Sequence, residues 1–141
     1  MGNDSIHKEI DLIQACISRM ANNSFLLKGW TISILVVVLA LVEKQIDPIY
    51  LCLILMIPFV SFWYLDAFFL RTEKMYRKMY EWVIENRRKG NEQYLYDLNP
   101  KRFEEKVQGV LRIMFTQTLV CFYLIPILIN VCILIYLIKA R

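Results

Sequence analysis

The sequence is poor in the residues that most active sites need. Among its 141 residues it has one histidine, His7, and four glycines that lie far apart in the chain. A catalytic triad needs a histidine beside its nucleophile, and a phosphate-binding loop needs clustered glycines. His7, Glu9 and Asp11 do not make a metal site, because helical spacing does not bring them to one point. The sequence therefore predicts a protein that is not an enzyme and that uses no cofactor.

The cysteines form no recognisable motif either. No two of the four make a C-x-x-C pair, and three of them lie in strongly apolar segments. Motif spacing is what marks a zinc or redox site, whereas an isolated cysteine among apolar residues behaves as a small hydrophobic side chain. We therefore predict no disulfide and no metal bound to thiolates at Cys16, Cys52, Cys121 and Cys132.

What the sequence does contain is three long apolar runs, at 25–42, 49–70 and 113–138. The last has no charged residue over 26 positions, and the other two hold one each, Lys28 and Asp66. A helix of that length reaches about 39 Å, and the hydrocarbon core of a bilayer is about 30 Å thick. We predict an all-α integral membrane protein with three transmembrane helices and a small cytoplasmic helical part. The alternative is a soluble chain, which has too little polar sequence to cover three such runs.

The distribution of basic residues predicts the orientation. Eleven Lys and Arg lie in 71–112 and three in the arm up to Lys28, against three in the rest of the chain. Because these residues accumulate on the cytoplasmic side of membrane helices, we predict a multi-pass membrane protein with a cytoplasmic N-terminus and an external C-terminus. Two basic residues in the C-terminal tail run against this rule, so a third helix that re-enters the membrane is the alternative.

The net charge of +4 does not indicate nucleic-acid binding. The segment 71–112 interleaves its eleven bases with seven acids, which is typical of a solvated helix face. Its bases can instead meet anionic lipid headgroups. We predict membrane lipids, further copies of the chain and a cytoplasmic protein as partners, and no nucleic acid.

The chain divides into four segments. They are a cytoplasmic amphipathic helix over 1–24, a transmembrane hairpin over 25–70, a cytoplasmic stalk and connector over 71–112, and the third transmembrane helix over 113–138. The sequence "NNS" at 22–24 predicts a bend between the first helix and the first span. Apolar residues three and four apart after Pro100 predict a helix that leads directly into the third span.

The second span predicts one helix of about 40 residues, because no helix breaker follows it before Gly90. Its last third is the stalk, whose apolar face needs a partner: the first helix, the helix after Pro100, or the stalk of another copy. The partner-binding residues predicted on the stalk are Met75, Tyr76, Met79, Tyr80 and Trp82.

Prolines and polar residues inside the spans suggest hinges and contacts between helices. Pro58 and Pro126 are predicted kinks, since proline removes a hydrogen bond within a helix. Thr116, Gln117 and Asn130 are polar residues of the third span. They predict either hydrogen bonds between helices or a polar stripe that lines a pore in an oligomer.

Asp66 is the most informative of these polar residues. It lies five residues before Arg71, about 7.5 Å inside the predicted interface. Lys28, Arg71 and Arg112 mark the same level, one on each span. Because a charge in a bilayer is costly without a partner, we predict an ion pair from Asp66 to Lys28 or to Arg112. The alternatives are that Asp66 relays protons or lines a pore, or that it faces lipid without a functional role.

Three stretches resemble a group of small bacterial membrane proteins: "RMANNSFLLKGW" at 19–30, "FWYLDAFFLRTEKMYRKMY" at 62–80 and "YDLNP" at 96–100. The group shares an RM-x-x-NSF-x-x-KGW entry and an FW-x-LD-x-x-FL-x-x-E exit of a helix hairpin. The likeness extends to about residue 100, and its matched positions are Lys28, Trp30, Trp63, Asp66 and Arg71. No roles for these positions follow from it.

In architecture the chain also resembles the small membrane effectors of anti-phage signalling cassettes. This second resemblance implies a non-enzymatic, oligomeric inner-membrane effector that permeabilises the bilayer on a cytoplasmic signal. The alternative is a structural anchor or accessory subunit that recruits a cytoplasmic partner through the stalk.

Overall fold

The chain folds into helices joined by short connections. The computed structural model describes residues 3–41 and 47–140, and no strand occurs among them. Helix α1 is Asn3–Leu41 and α2 is Pro48–Arg88. A 3₁₀ helix, Pro100–Lys106, and a short α3, Val110–Met114, connect α2 to the third span, Gln117–Ala140. The predicted link between the two helices of the hairpin, 43–47, lies outside the described residues except for Asp47.

The prediction of an all-α, three-span membrane protein is confirmed. Three helices are long and apolar enough to cross a bilayer, within Asp4–Val38, Pro48–Arg88 and Gln117–Ala140. In the membrane-spanning part the third span packs against α2 over an apolar core. We call the end of the spans where α2 continues past Arg71 the stalk side. The core comprises Phe59, Trp63, Ala67, Ile113, Met114, Leu119, Tyr123 and Ile127.

Helix α1 joins the amphipathic arm to the first span without interruption. The predicted bend at 22–24 is wrong, because residues 22–24 are helical and α1 continues over 39 residues. Asparagine and serine lower helix propensity only slightly, and the stretch has no proline or glycine to stop the helix. Ser24 turns its hydroxyl towards α2 instead of ending the helix. The arm and the span therefore form one rod about 58 Å long.

Helix α2 confirms the prediction of a helix of about 40 residues. Asp47 accepts a hydrogen bond from the Ile49 amide at 3.0 Å, and Pro48 occupies the first turn. The helix continues through Pro58 for 41 residues. It ends before Gly90, whose φ of 74° closes the helix in the left-handed conformation that glycine adopts easily. This geometry makes α2 a second rod that reaches well beyond the membrane.

The connector differs from its prediction. Asn99 caps the helix after it, accepting from the Lys101 amide at 3.1 Å, but that helix is 3₁₀ and ends at Lys106. Val107 is extended, and the extended Thr116 separates α3 from the third span. The expected continuous helix is therefore wrong, and the third span begins at Gln117 instead of 113. Trp63 stabilises the break, since its indole donates to the Met114 carbonyl at 2.9 Å.

The third span contains a π turn, Val120–Leu124, directly before Ile125 and Pro126. Proline has no amide hydrogen, and its ring displaces the carbonyl four residues earlier. A widened turn at this place accommodates that defect inside the helix. Tyr123 lies within the π turn and is buried.

The stalk is covered by other parts of the same chain. Met75, Met79 and Val83 of α2 form a buried cluster with Ile13 of α1 and Phe103 of the 3₁₀ helix. We call this the stalk-side bundle. Two of the three partners predicted for the stalk, the first helix and the helix after Pro100, thus pack against it within the chain.

The prediction of the stalk face as a partner-binding surface needs correction. Met75 is 7% exposed and Met79 0%, so neither is open to a second protein. Tyr76, Tyr80 and Trp82 are half-buried at the margin of the bundle. The physical reason is that α1 continues alongside α2 well past the membrane, which supplies the apolar surface that the stalk needs.

Candidate functional site: a polar cluster between the spans

Asp66 lies at the point where all three spans meet. It belongs to the α2 face that also carries Trp63 and Ala67, and its accessible surface is 0%. A charged carboxylate removed from water is costly unless hydrogen bonds and an opposite charge compensate it. The neighbouring helices supply both.

Three side chains donate to the Asp66 carboxylate. Ser24 donates to Oδ1, and Lys28 donates to Oδ2 at 2.5 Å in an ion pair. The Tyr123 hydroxyl donates to Oδ2 at 3.1 Å. Lys28 also donates to the Ser24 hydroxyl at 2.9 Å, which closes the network. We call these four residues the Asp66 cluster; they come from α1, α2 and the third span.

Local structure explains why these residues converge. Ser24 and Lys28 are four apart, so they share one face of α1, and that face points at α2. The Lys28 side chain is 23% exposed, and its ammonium group reaches the Asp66 carboxylate. Tyr123 has its ring in the apolar core between Leu119 and Ile127, and only its hydroxyl meets a polar partner.

The other two predicted bases lie elsewhere. Arg71 pairs with Glu104 at 2.9 Å and donates to the Gln108 carbonyl at 3.2 Å, so it holds the connector against α2. Arg112 is exposed and forms no ion pair among the described residues, so the prediction of Arg112 as a partner of Asp66 is wrong. The break at Thr116 is the reason, because it uncouples α3 from the face of the third span that meets Asp66.

The polar residues of the third span do not form one stripe. Thr116 donates to the Ile113 carbonyl at 2.8 Å, within its own turn, and Gln117 is exposed. Asn130 donates to the Cys52 carbonyl of α2 at 3.1 Å. Asn130 therefore forms a hydrogen bond between two helices, which is the first of the two roles predicted for these polar residues. Gln117 lies on the outer surface of the single chain.

A second buried ion pair joins the same two rods on the stalk side. Arg87 of α2 binds Glu9 of α1 through two hydrogen bonds, of 2.8 and 2.9 Å, and both side chains are 2% exposed. Hydrogen bonding to Glu9 raises the pKa of Arg87 above its usual value. Paired and charged, the two residues fasten the start of α1 to the end of α2.

The loop after α2 closes over this pair. Arg87 donates to the carbonyls of Asn91 and Gln93, at 2.5 and 3.2 Å, and the Tyr96 amide donates to Glu9 at 3.1 Å. Tyr94 and Tyr96 each have a φ of 58°, a conformation that is uncommon outside glycine. These contacts therefore hold the loop in an unfavourable conformation. We call Glu9, Arg87 and the loop 91–96 the latch.

Sequence reasoning missed the latch and half of the Asp66 cluster. Two signals were available. Glu9 precedes the buried Ile13 by four residues, and Arg87 follows the buried Val83 by four, so each continues an apolar stripe. Ser24 precedes Lys28 by the same interval. Tyr123 had no comparable signal, because its position depends on the π turn.

The two sites are networks of hydrogen bonds and ion pairs. The residues searched contain no group of three or more His, Cys, Asp or Glu that could hold a metal ion. The Asp66 cluster is a closed hydrogen-bond network whose chemistry is to hold three spans together. Comparisons of the chain with protein-family models, with curated proteins and with solved structures found no match.

Proposed function

We propose that this chain is a non-enzymatic membrane effector of the bacterial inner membrane, with the stalk side in the cytoplasm. In its resting state the Asp66 cluster holds the spans together. A cytoplasmic signal acts on the stalk-side bundle, the cluster opens, and the bilayer becomes permeable. Anti-phage defence is the biological setting that the resemblance in architecture suggests.

One observation carries this proposal: α1 and α2 each pass without a break from the latch to the Asp66 cluster. Glu9 and Lys28 are 19 residues apart on α1, about 28 Å along one rod. A rigid helix transmits a displacement at one end to the other, provided that both ends have discrete contacts to exchange. The two buried ion pairs are such contacts.

Permeation requires several copies of the chain. The core of the three spans is filled by apolar side chains, so a single bundle has no continuous polar path among the described residues. Only 17–22% of the most apolar 18-residue window of each span is buried, which leaves large faces for lipid or for further copies. We therefore propose a homo-oligomer, in which the exposed Gln117 is available at a surface between copies.

The anchor hypothesis has less support. It needs a stalk face that is free for a cytoplasmic protein, and the centre of that face, Met75 and Met79, is buried under α1 and Phe103. A cytoplasmic partner remains part of the effector proposal as the source of the signal, acting on the outside of the bundle.

The test is the membrane potential of bacterial cells in which the chain is expressed from an inducible promoter. Asp66→Asn removes the charge that Lys28 pairs with, and Ser24→Ala removes one donor. We expect both to lower the potential, read with a voltage-sensitive dye, without any signal. Ser33→Ala is the matched control, because Ser33 is an exposed hydroxyl on the same helix that bonds its own backbone.

Equal amounts of each variant in the membrane fraction make the comparison valid. If Asp66→Asn and Ser24→Ala keep the wild-type potential at equal expression, the cluster is not what holds the membrane closed. The proposal also fails if Ser33→Ala lowers the potential as much as Ser24→Ala.

A further inference from the structure

A basic cleft lies where the stalk leaves the membrane. One wall is the outer face of α2 beyond Arg71, and the other is the connector between the 3₁₀ helix and α3. The cleft has a volume of about 290 Å³ and carries an amide side chain, Gln108, at its edge. Its charged lining consists of Lys74, Arg77, Lys78, Glu81 and Lys106.

The cleft keeps a surplus of positive charge. Two of its bases already have acidic partners along α2, Arg77 with Glu73 and Lys78 with Glu81, both at 2.7 Å. Lys74 and Lys106 are exposed and form no ion pair among the described residues. These two ammonium groups, one on each wall, are therefore available to an anion.

The walls are held in place by contacts within the chain. Arg71 donates to the Gln108 carbonyl and pairs with Glu104, which fixes the connector on α2. The Lys106 ammonium lies 5.4 Å from the centre of the Phe103 ring, an attractive contact, and Phe103 is anchored in the stalk-side bundle. The two walls that carry the free bases are thus held together before any ligand arrives.

The cleft lies at the depth of lipid headgroups. Lys74 follows Arg71 by three residues, about 4.5 Å along the helix. The polar layer of a bilayer adds roughly 5–7 Å beyond the hydrocarbon core on each side. We propose that Lys74 and Lys106 bind the phosphate of an anionic phospholipid from the leaflet on the stalk side. Lysine binds phosphate as a point charge, which needs no fixed fork geometry.

The test counts lipids bound to the full chain by native mass spectrometry in mild detergent. Phosphatidylglycerol is the anionic probe and phosphatidylcholine the neutral one. We expect Lys74→Gln/Lys106→Gln to weaken phosphatidylglycerol binding by about 5- to 30-fold, from the charge lost near a membrane surface. Phosphatidylcholine binding should stay unchanged, and Lys74→Arg/Lys106→Arg should keep the wild-type preference.

Arg88→Gln/Lys101→Gln is the matched control. It removes the same charge from two exposed bases that lie outside the cleft and form no ion pair among the described residues. The proposal is overturned if this control weakens binding as much as the cleft variant does, or if the cleft variant binds like the wild type. It is also overturned if inorganic phosphate in solution displaces the lipid, because the site then takes a soluble anion.

Discussion

Replacing Glu9 by glutamine tests the latch with the smallest change of shape. Glutamine keeps an oxygen that accepts from the Tyr96 amide, as Glu9 does at 3.1 Å. The substitution removes the negative charge that faces Arg87 and replaces one of the two oxygens that accept from Arg87 by an NH2 donor. Since both side chains are 2% exposed, the guanidinium then stays buried beside a neutral group. Only the carbonyls of Asn91 and Gln93 remain as its acceptors besides the new amide oxygen.

The expected cost follows from this burial. Removing one partner of a buried ion pair costs about 3–5 kcal/mol, because the other charge is left uncompensated. Exposed pairs contribute only about 0–1 kcal/mol. Lys78 and Glu81 form such a pair on the same helix, with side chains that are 45% and 63% exposed. Glu81→Gln is therefore the matched control, with the same chemical change and almost no expected effect.

Hydrogen–deuterium exchange of the full chain in detergent or nanodiscs measures the effect. Glu9→Gln should accelerate exchange in the first turns of α1 by about a hundred- to a few thousand-fold, the equivalent of 3–5 kcal/mol of local opening. Glu81→Gln should exchange like the wild type. Exchange in Glu9→Gln that stays within a few-fold of the wild type would refute the view that this pair holds the latch.

Two further predictions concern the Asp66 cluster. Asp66→Asn and Lys28→Gln should be strongly non-additive, with a coupling free energy of about 0.5–3 kcal/mol in thermal unfolding. Asp66→Asn and Arg112→Gln should be additive. The reverse pattern would show that Arg112, and not Lys28, is the base that pairs with Asp66. Tyr123→Phe should cost about 1–3 kcal/mol through the lost donor to a buried carboxylate. Tyr136→Phe, at a tyrosine 72% exposed, should cost almost nothing, and equal effects would contradict the role of the Tyr123 hydroxyl.

The large features of the fold follow from the sequence because they depend on length and polarity alone. Three apolar runs of sufficient length predict three spans in any arrangement. The absence of a breaker after Leu70 predicts that α2 continues into the stalk. Placing Lys28 at the level of Asp66 needs only the helical rise and the position of the interface.

The remaining features depend on tertiary contacts, which periodicity does not report. The spacing after Pro100 is helical, yet the connector breaks because Trp63 and Arg71 satisfy the carbonyls of Met114 and Gln108 from α2. The "NNS" stretch favours a bend locally, but Ser24 has a better partner in Asp66 than in its own backbone. In both places a contact between distant segments overrides the local preference.

The most direct test of the account is ion flux across vesicles that contain purified Glu9→Gln. The central claim is that the latch controls the Asp66 cluster through two unbroken helices, although about 28 Å of α1 separates Glu9 from Lys28. The account predicts that Glu9→Gln raises the flux above that of the wild type and that Glu81→Gln does not. A Glu9→Gln protein whose latch exchanges rapidly but whose vesicles stay as tight as those of the wild type would contradict it.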